Sequence, residues 1–188
     1  MVVQEKLYTA DDLWELSHQV ADAKRLELVK GSILEMTPAG GSHGLVTHEL
    51  GRLIGNYVAA HKLGYVTAAE TGFILATNPD IVRAPDVGFV AKVRMPHPIP
   101  QKYIPVAPDL AVEVVSPNDA AENIRKKVIQ FLDAGTLIVW VVYPEARTVD
   151  IYRPGQHIQS VGMDGALDGG EALPGLTIPV GDVFASAD

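Results

Sequence analysis

The chain has 188 residues, of which 47% are hydrophobic and 20% are charged. This length and composition predict one globular domain, residues 1–188, with a hydrophobic core. The absence of cysteine excludes disulfides and thiolate metal sites. A net charge of −8 disfavours a protein that covers nucleic acid with a broad basic surface, because neutralising phosphates requires lysine and arginine.

The sequence also bears on location. The N-terminal segment MVVQEKLYTADDL has no apolar core of the kind found in secretion signals. No run of about 18 apolar residues is present, so we expect no membrane span. A cytoplasmic protein is therefore expected, and the lack of cysteine fits a reducing compartment.

Two helices, a hairpin and three strands are predicted in the N-terminal half. Thr9 and Asp12 have the spacing of a capping box at a helix start, and Lys30-Gly31 is the predicted hairpin turn. Gly64 is predicted to end the second helix, along which apolar residues recur at the helical period. The predicted bounds are 10–19 and 43–62 for the helices, 26–36 for the hairpin, and 65–69, 72–76 and 86–91 for the strands.

Strands flank one helix in the C-terminal half. The strand LAVEVV is stopped by Ser116-Pro117, and a helix is predicted over 120–134. The run LIVWVV is typical of a central strand that is covered on both faces. A more exposed strand over 148–153 and a tail with one or two short strands follow. The sum predicts an α/β fold, with a mixed central sheet flanked by helices.

Asp86 and Glu113 are the acids that suggest a metal site. Asp86 opens the strand PDVGFV, and Glu113 lies inside an apolar strand, where burying a carboxylate is costly without a partner. If the strands are neighbours, both carboxylates can converge on a divalent cation such as Mg²⁺. Asp86 taken alone also fits an edge or capping acid. Asp109 is set aside, because four residues along a strand place it about 13 Å from Glu113.

The helix that follows this strand supplies a cation. Asp119 and Glu122 have capping-box spacing at its start. In helical projection Lys126 lies opposite the apolar stripe and pairs with Glu122. Lys127 flanks the stripe and can reach toward the sheet, although a lysine whose stem packs at the rim of the core would look the same.

Several segments resemble the Uma-type restriction endonuclease family of the PD-(D/E)XK nuclease superfamily. They run in order from about Tyr8 to Val183. The matching segments are RLELVKGSILEMTPAG, the HG before the second helix, RAPDVGFV, PDLAVEVVSPND and KKVIQFLDAGTLIVWVVYPEARTVDIYRPG. Together they cover nearly the whole chain.

The resemblance implies a restriction-endonuclease-like fold with Asp86 and Glu113 as metal-binding acids. The superfamily usually carries its lysine two residues after the second acid, where this chain has Val115. In this family the lysine has moved to the next helix, which carries it to Lys127, the residue that the helical projection selects independently. The family also has an acid that matches Glu27 and completes such sites.

The resulting hypothesis is hydrolysis of DNA phosphodiester bonds. One or two Mg²⁺ ions, or Mn²⁺, would be held by Asp86, Glu113 and the backbone carbonyl of Val114. Lys127 would orient a water or stabilise developing charge. The residues expected to contact the substrate are His43 at the start of the second helix, Arg83 and Arg125, with Arg94 and Lys102 extending the basic face.

Two alternatives stay open from the sequence. A non-catalytic binding module on the same fold would fit the net charge of −8 and the apolar Val115. A nuclease that acts on RNA or on structured DNA would use the same residues. By analogy with nucleases of this fold, which cut both strands, a homodimer is expected.

Overall fold

A six-stranded mixed sheet forms the centre of the computed structural model, which describes residues 6–19, 25–117 and 119–185. The helices are α1 (Ala10–Gln19), α2 (Gly41–His61), α3 (Ala121–Asp133) and α4 (Val180–Phe184). The strands are β1 (Arg25–Val29), β2 (Ser32–Met36), β3 (Gly64–Ala68), β4 (Phe73–Ala76), β5 (Ile81–Arg83), β6 (Val87–Ala91), β7 (Leu110–Val114), β8 (Ile138–Tyr143), β9 (Thr148–Tyr152), β10 (Gln159–Val161), β11 (Ala166–Asp168) and β12 (Thr177–Pro179).

The strands form three sheets. The central sheet has the order β10-β9-β8-β7-β6-β3, in which β7 and β8 are parallel and the other pairs are antiparallel. Helix α3 makes the crossover between the two parallel strands, as a parallel pair requires. A four-stranded antiparallel sheet, β2-β1-β5-β4, lies beside it, and β11 pairs with β12.

Strand β8 is covered on both faces, as its continuous apolar run predicts. Trp140 and Val142 belong to the core that contains α2, whereas Val139 and Val141 pack with Phe131 of α3. Consecutive residues of a strand point to opposite faces of the sheet, so the alternation fills two cores at once. The α/β prediction is confirmed: a mixed sheet lies between helices.

The four-stranded sheet, called the small sheet below, has its own packing and its own helix. Leu13 of α1 is buried with Leu28 of β1 and Val82 of β5. The predicted capping box is present, since the Thr9 amide donates to Asp12 Oδ2 at 2.9 Å and the Asp12 amide donates to Thr9 Oγ1 at 3.1 Å. This sheet places β1 and β5 beside the end of β7, where the predicted acids lie.

The hairpin turn is confirmed, but the prediction that Gly64 ends the second helix is wrong. Lys30 and Gly31 have φ of 50° and 78°, the left-handed pair that a two-residue hairpin turn needs. Helix α2 ends at His61, and its C-cap is Lys62, which has φ of 55° and donates its amide to the carbonyl of Ala59. Gly64 instead begins β3.

Two further predictions are corrected, and one strand was not predicted. Asp119 and Glu122 form no capping box: Ala120 precedes α3 without a side-chain cap, and Asp119 Oδ2 accepts from the Ser116 amide at 2.8 Å. Strand β5 was not predicted, because three residues are too few for a pattern. The tail holds three short strands and a short helix in place of one or two strands.

None of the described helices is long and apolar enough to span a membrane.

Gly64→Ala is expected to destabilise the protein by about 2 kcal/mol, because overpacking costs about 1–3 kcal/mol. A Cβ at Gly64 would lie 2.1 Å from the Val90 carbonyl oxygen, so β3 would have to move away from β6. Gly55→Ala, inside α2 with nothing within 4 Å of the new Cβ, is the matched control and should gain about 0.5–1 kcal/mol. Urea unfolding measures both; equal effects would contradict the close strand contact.

Candidate active site

Two neighbouring strands bring Asp86 and Glu113 together. Strands β6 and β7 are antiparallel with Val87 opposite Val112, so one further step of the register sets Asp86 opposite Glu113. Asp86 is also tied to β7 directly, because its Oδ2 accepts from the Val114 amide at 2.8 Å. The neighbouring strands that the sequence requires for a shared site are therefore present.

The two adjacent lysines of α3 behave as the projection predicts. Lys127 Nζ donates to Glu113 Oε2 at 2.9 Å and to the carbonyl of Ala84 at 3.1 Å, and it lies 3.0 Å from Glu27 Oε1. Its side chain is 13% exposed. Lys126 points to solvent and pairs with Glu122 at 2.7 Å. Lys127 is thus a buried cation between two carboxylates, one from each of the two larger sheets.

Glu27 is held by more than the lysine. Its Oε2 accepts from Arg83 at 2.6 Å, and its Oε1 accepts from the Ala84 amide at 2.9 Å. Arg83 also donates to Gln130 of α3 at 2.7 Å and is 5% exposed. The expectation that Arg83 contacts a substrate is therefore corrected: this guanidinium fixes Glu27 from inside the protein.

His43, at the start of α2, contacts Asp86. Its Nε2 lies 3.2 Å from Asp86 Oδ2, and its Nδ1 lies 3.4 Å from Thr47 Oγ1. The sequence placed His43 near a phosphate, whereas the structure places it beside the acid and at the wall of the same cavity. It can orient Asp86, and the role in substrate contact remains a prediction.

Arg25 was missed by sequence reasoning. Its guanidinium lies 4.0 Å from Asp86 Oδ1 and 3.4 Å from Glu70 Oε1. A signal was available: Arg25 and Glu27 are two apart on one strand, and residues at that spacing share a face. Once Glu27 is placed in the site, Arg25 follows.

The residues expected to form a basic face lie apart from the cavity or are paired with acids. Arg125 lies on the exposed side of α3 near Tyr152 and does not line the cavity, and its contact with a substrate stays a prediction. Arg94 is bound to Asp109 at 2.6 Å, and Asp109 does not line the cavity. Lys102 is bound to Asp11 at 2.7 Å.

The buried carboxylates differ in how they hold a proton. Burial opposes ionisation of Asp86 and Glu27, but His43 and the Val114 amide outweigh it for Asp86, and Lys127 and Arg83 do so for Glu27. The pKa of each of these two acids is therefore lowered. Burial raises the pKa of Glu113 to about 8, opposed by Lys127 and reinforced by the negative charges of Asp86 and Glu27.

These residues fit a divalent cation. Among the described residues, Glu113 Oε1 is buried without a hydrogen-bond partner, although the Lys127 ammonium, which donates to Oε2, lies 2.8 Å from it. Asp86 Oδ1 faces the same side as Arg25, with Oδ2 already bonded. The described residues contain no group of three or more His, Cys, Asp or Glu that could hold a metal ion by themselves. Mg²⁺ commonly takes one or two carboxylates and fills its other positions with water and phosphate.

A cavity of about 800 Å³ contains this cluster. The acids and Lys127 line one part of it, and Trp14 and Tyr103 line another. The volume lies within the range of pockets that hold small ligands, about 300–1,000 Å³. The cluster therefore opens to a space that can accept part of a substrate.

A mixed sheet between helices, with two acids on neighbouring strands and a lysine beside them, defines the restriction-endonuclease-like class of nuclease folds. The family profile "Uma2: Putative restriction endonuclease" matches residues 12–181, so the chain belongs to that family. The predicted family is confirmed.

Comparison with solved structures gives the same fold. A protein from Anabaena variabilis ATCC 29413, described as "a putative nuclease belonging to DUF820", superposes with a TM-score of 0.80 at 21% identity. The match covers 94% of this chain and 97% of that one. No curated protein matches the sequence.

Lys127→Met is expected to lower the free energy of unfolding by about 3 kcal/mol, because removing one partner leaves buried carboxylates uncompensated. Lys126→Met, one residue earlier on the same helix, removes an exposed pair with Glu122 and should cost less than about 0.5 kcal/mol. Urea denaturation of both variants without metal measures the difference. Similar losses in the two variants would show that the Lys127 ion pairs add nothing to stability.

Proposed function

We propose that this protein is a metal-dependent endonuclease that hydrolyses phosphodiester bonds in DNA. The observation that carries the proposal is the meeting of Asp86, Glu113 and Lys127 within one open cavity. Membership of the restriction endonuclease family supports the reaction class. Two carboxylates beside an ammonium support metal-dependent hydrolysis of a phosphodiester, and the family supports DNA as its source.

The acids would hold the metal. Asp86 through Oδ1 and Glu113 through Oε1 are the ligands we assign to Mg²⁺ or Mn²⁺, with the Val114 carbonyl as a further oxygen. Bound there, the ion supplies Lewis-acid polarisation of the phosphate and activation of a water. Glu113 must release any proton it carries before it binds a cation, because a carboxylate ligand is ionised.

Lys127 acts beside the metal ligands. Its ammonium can hold the attacking water and stabilise charge that develops on the phosphate oxygens. Glu27 and Arg83 are positioning residues, since Glu27 lies 3.0 Å from the Lys127 ammonium and Arg83 in turn holds Glu27. His43 positions Asp86 in the same way.

The non-catalytic alternative depends on Val115, at the place of the usual superfamily lysine. Val115 packs, partly buried, with the core under α3, and its amide donates to the Val142 carbonyl at 2.8 Å. The ammonium of Lys127 lies beside the acids in its place. This substitution of one lysine position for another favours an enzyme over a binding module.

Plasmid cleavage in Mg²⁺ or Mn²⁺ is expected for the wild type and lost on chelation. Asp86→Asn and Lys127→Ala should each lower the rate by about 10²–10⁴-fold, the usual loss for a group that stabilises transition-state charge. Lys126→Ala is the matched control and should cleave at the wild-type rate. Thermal melts confirm that each variant is folded at the assay temperature.

Equal cleavage by all variants would reveal a contaminating nuclease or a different site. No cleavage by the folded wild type, on supercoiled, linear and single-stranded DNA in either metal, would overturn the proposed activity and favour the binding module.

Metal binding has a separate readout. Mn²⁺ in hundredfold excess over its Kd is expected to stabilise the wild type by about 2.7 kcal/mol, a rise in Tm of about 5–10 °C. Asp86→Asn should abolish most of this rise because it removes a charged ligand. Asp164→Asn, an exposed acid in the tail that does not line the cavity, should keep it. A rise that survives Asp86→Asn would place the metal elsewhere.

The homodimer is likewise a proposal, taken from the need of such nucleases to cut both strands. Sedimentation equilibrium of the purified protein measures the mass directly. A monomer at every concentration tested would remove the dimer from the proposed mechanism.

A further inference from the structure

The cavity has an aromatic wall that the proposed chemistry does not use. Trp14 of α1 and Tyr103, which precedes the bridge at Ile104, are half-buried and both line the cavity. Their ring centroids are 5.5 Å apart at an interplanar angle of 85°. Tyr103 packs, partly buried, against the core of the small sheet formed by Leu13, Leu28 and Val82, whereas Trp14 is not part of that core.

This wall is fixed in place before any ligand binds. A Cβ at Gly72 would lie 2.3 Å from Tyr103 Cδ1, so the tyrosine ring rests directly on the glycine backbone. Helix α1 is anchored to the small sheet, because the Ala10 amide donates to Asp80 Oδ2 at 2.8 Å. Lys102, next to Tyr103, is bound to Asp11 of the same helix at 2.7 Å. Both rings are thus held without further ordering, which lowers the cost of binding.

One part of Trp14 is covered and another is open. The imidazole of His18 lies over the indole, with centroids 4.4 Å apart. His18 itself is exposed and does not line the cavity, whereas Trp14 does and is only partly buried.

The charge of the cavity disfavours an intact duplex. Within the described chain its lining contains six carboxylate residues, against Arg25 and Lys127 as its lysine and arginine residues. A duplex held by its phosphates needs a row of such cations. A base that stacks on an aromatic ring needs none, and stacking is worth about 1–3 kcal/mol per base.

We propose that Trp14 and Tyr103 stack an unpaired base, so that the substrate taken by this site is DNA with a single-stranded segment. The inference rests on the proposed nuclease function and names its substrate class. The acids and Lys127 receive the phosphate, and the aromatic wall of the same cavity receives a base of the same strand.

Tryptophan fluorescence tests this inference with the wild-type protein. The chain has two tryptophans, and Trp140 is 0% exposed in the core, so a quenching ligand reports on Trp14. A twelve-nucleotide single strand and the blunt duplex of the same sequence are titrated with Ca²⁺, which takes similar oxygen ligands. We expect the single strand to quench the emission and to bind at least about tenfold more tightly than the duplex, the effect of one stacked base.

Variants then locate the contact. Trp14→Leu should weaken single-strand binding about tenfold, measured by anisotropy of a labelled strand, while duplex binding is unchanged. Trp14→Phe keeps a ring and should restore most of the affinity, and its remaining emission, from Trp140, should not respond to the strand.

Unchanged emission, equal affinity for strand and duplex, or an equal loss for both in Trp14→Leu would overturn the inference. Its failure is distinct from that of the proposed function. Metal-dependent cleavage of duplex DNA without single-strand preference would support the nuclease function and overturn base stacking on Trp14 and Tyr103. Quenching by the single strand without any cleavage would support base stacking and overturn the nuclease function.

Discussion

The site depends on the ion pairs that the largely buried ammonium of Lys127 makes with two carboxylates. This ammonium lies within 3.0 Å of one carboxylate from each of two sheets, Glu27 of β1 and Glu113 of β7. Without it, three acids would face one another at the end of β7 with Arg83 as the remaining buried cation. Like charges in a region of low dielectric repel strongly, so without Lys127 this approach of the sheets would cost free energy or require the acids to take up protons. The two ion pairs of Lys127 therefore join α3 to the small sheet and to the central sheet, beside the cavity.

A lysine on a helix also changes what the strand can do. Val115, where the superfamily has its lysine, continues the pairing of β7 with β8 and packs against the residues under α3. A charged side chain at that place would have to leave this apolar contact. The helix can supply the cation because the chain turns at Ser116-Pro117 and folds back over the sheet, which brings Lys127 to Glu113. The helical projection anticipates this contact, because it separates Lys127 from Lys126 by direction alone.

Local patterns explain which features the sequence could predict. The residues of β8 that fill the two cores and the apolar stripe of α3 recur at the periods of a strand and a helix, so both were predictable. The hairpin turn was predictable because Lys30-Gly31 suits the left-handed backbone of a two-residue turn. Asp86 and Glu113 were found because an acid inside or beside an apolar strand is unusual.

Features that depend on distant partners were not predictable. Arg83 reads as an exposed base until Glu27, 56 positions away, is placed beside it. Lys102 likewise reads as a free cation until Asp11, 91 positions away, is known. The acidic partners of Arg83, Arg94 and Lys102 were not predicted for that reason, since ion pairs between segments leave no mark on either segment. The capping box at Asp119 failed because the turn before the helix competes for the same carboxylate.

The excess of acid over base in the cavity links the two proposals. Glu113 has a raised pKa because Lys127 cannot balance burial together with two neighbouring carboxylates. A divalent cation would supply the missing positive charge and make it favourable for Glu113 to ionise. That balance is local and does not extend to the exposed acids of the cavity, Glu70, whose partner is Arg25, and Glu145. A second strand of phosphates would meet those acids, whereas a single strand can turn its bases toward Trp14 and Tyr103. The charge distribution that favours a metal at one end of the cavity therefore favours unpaired DNA at the other.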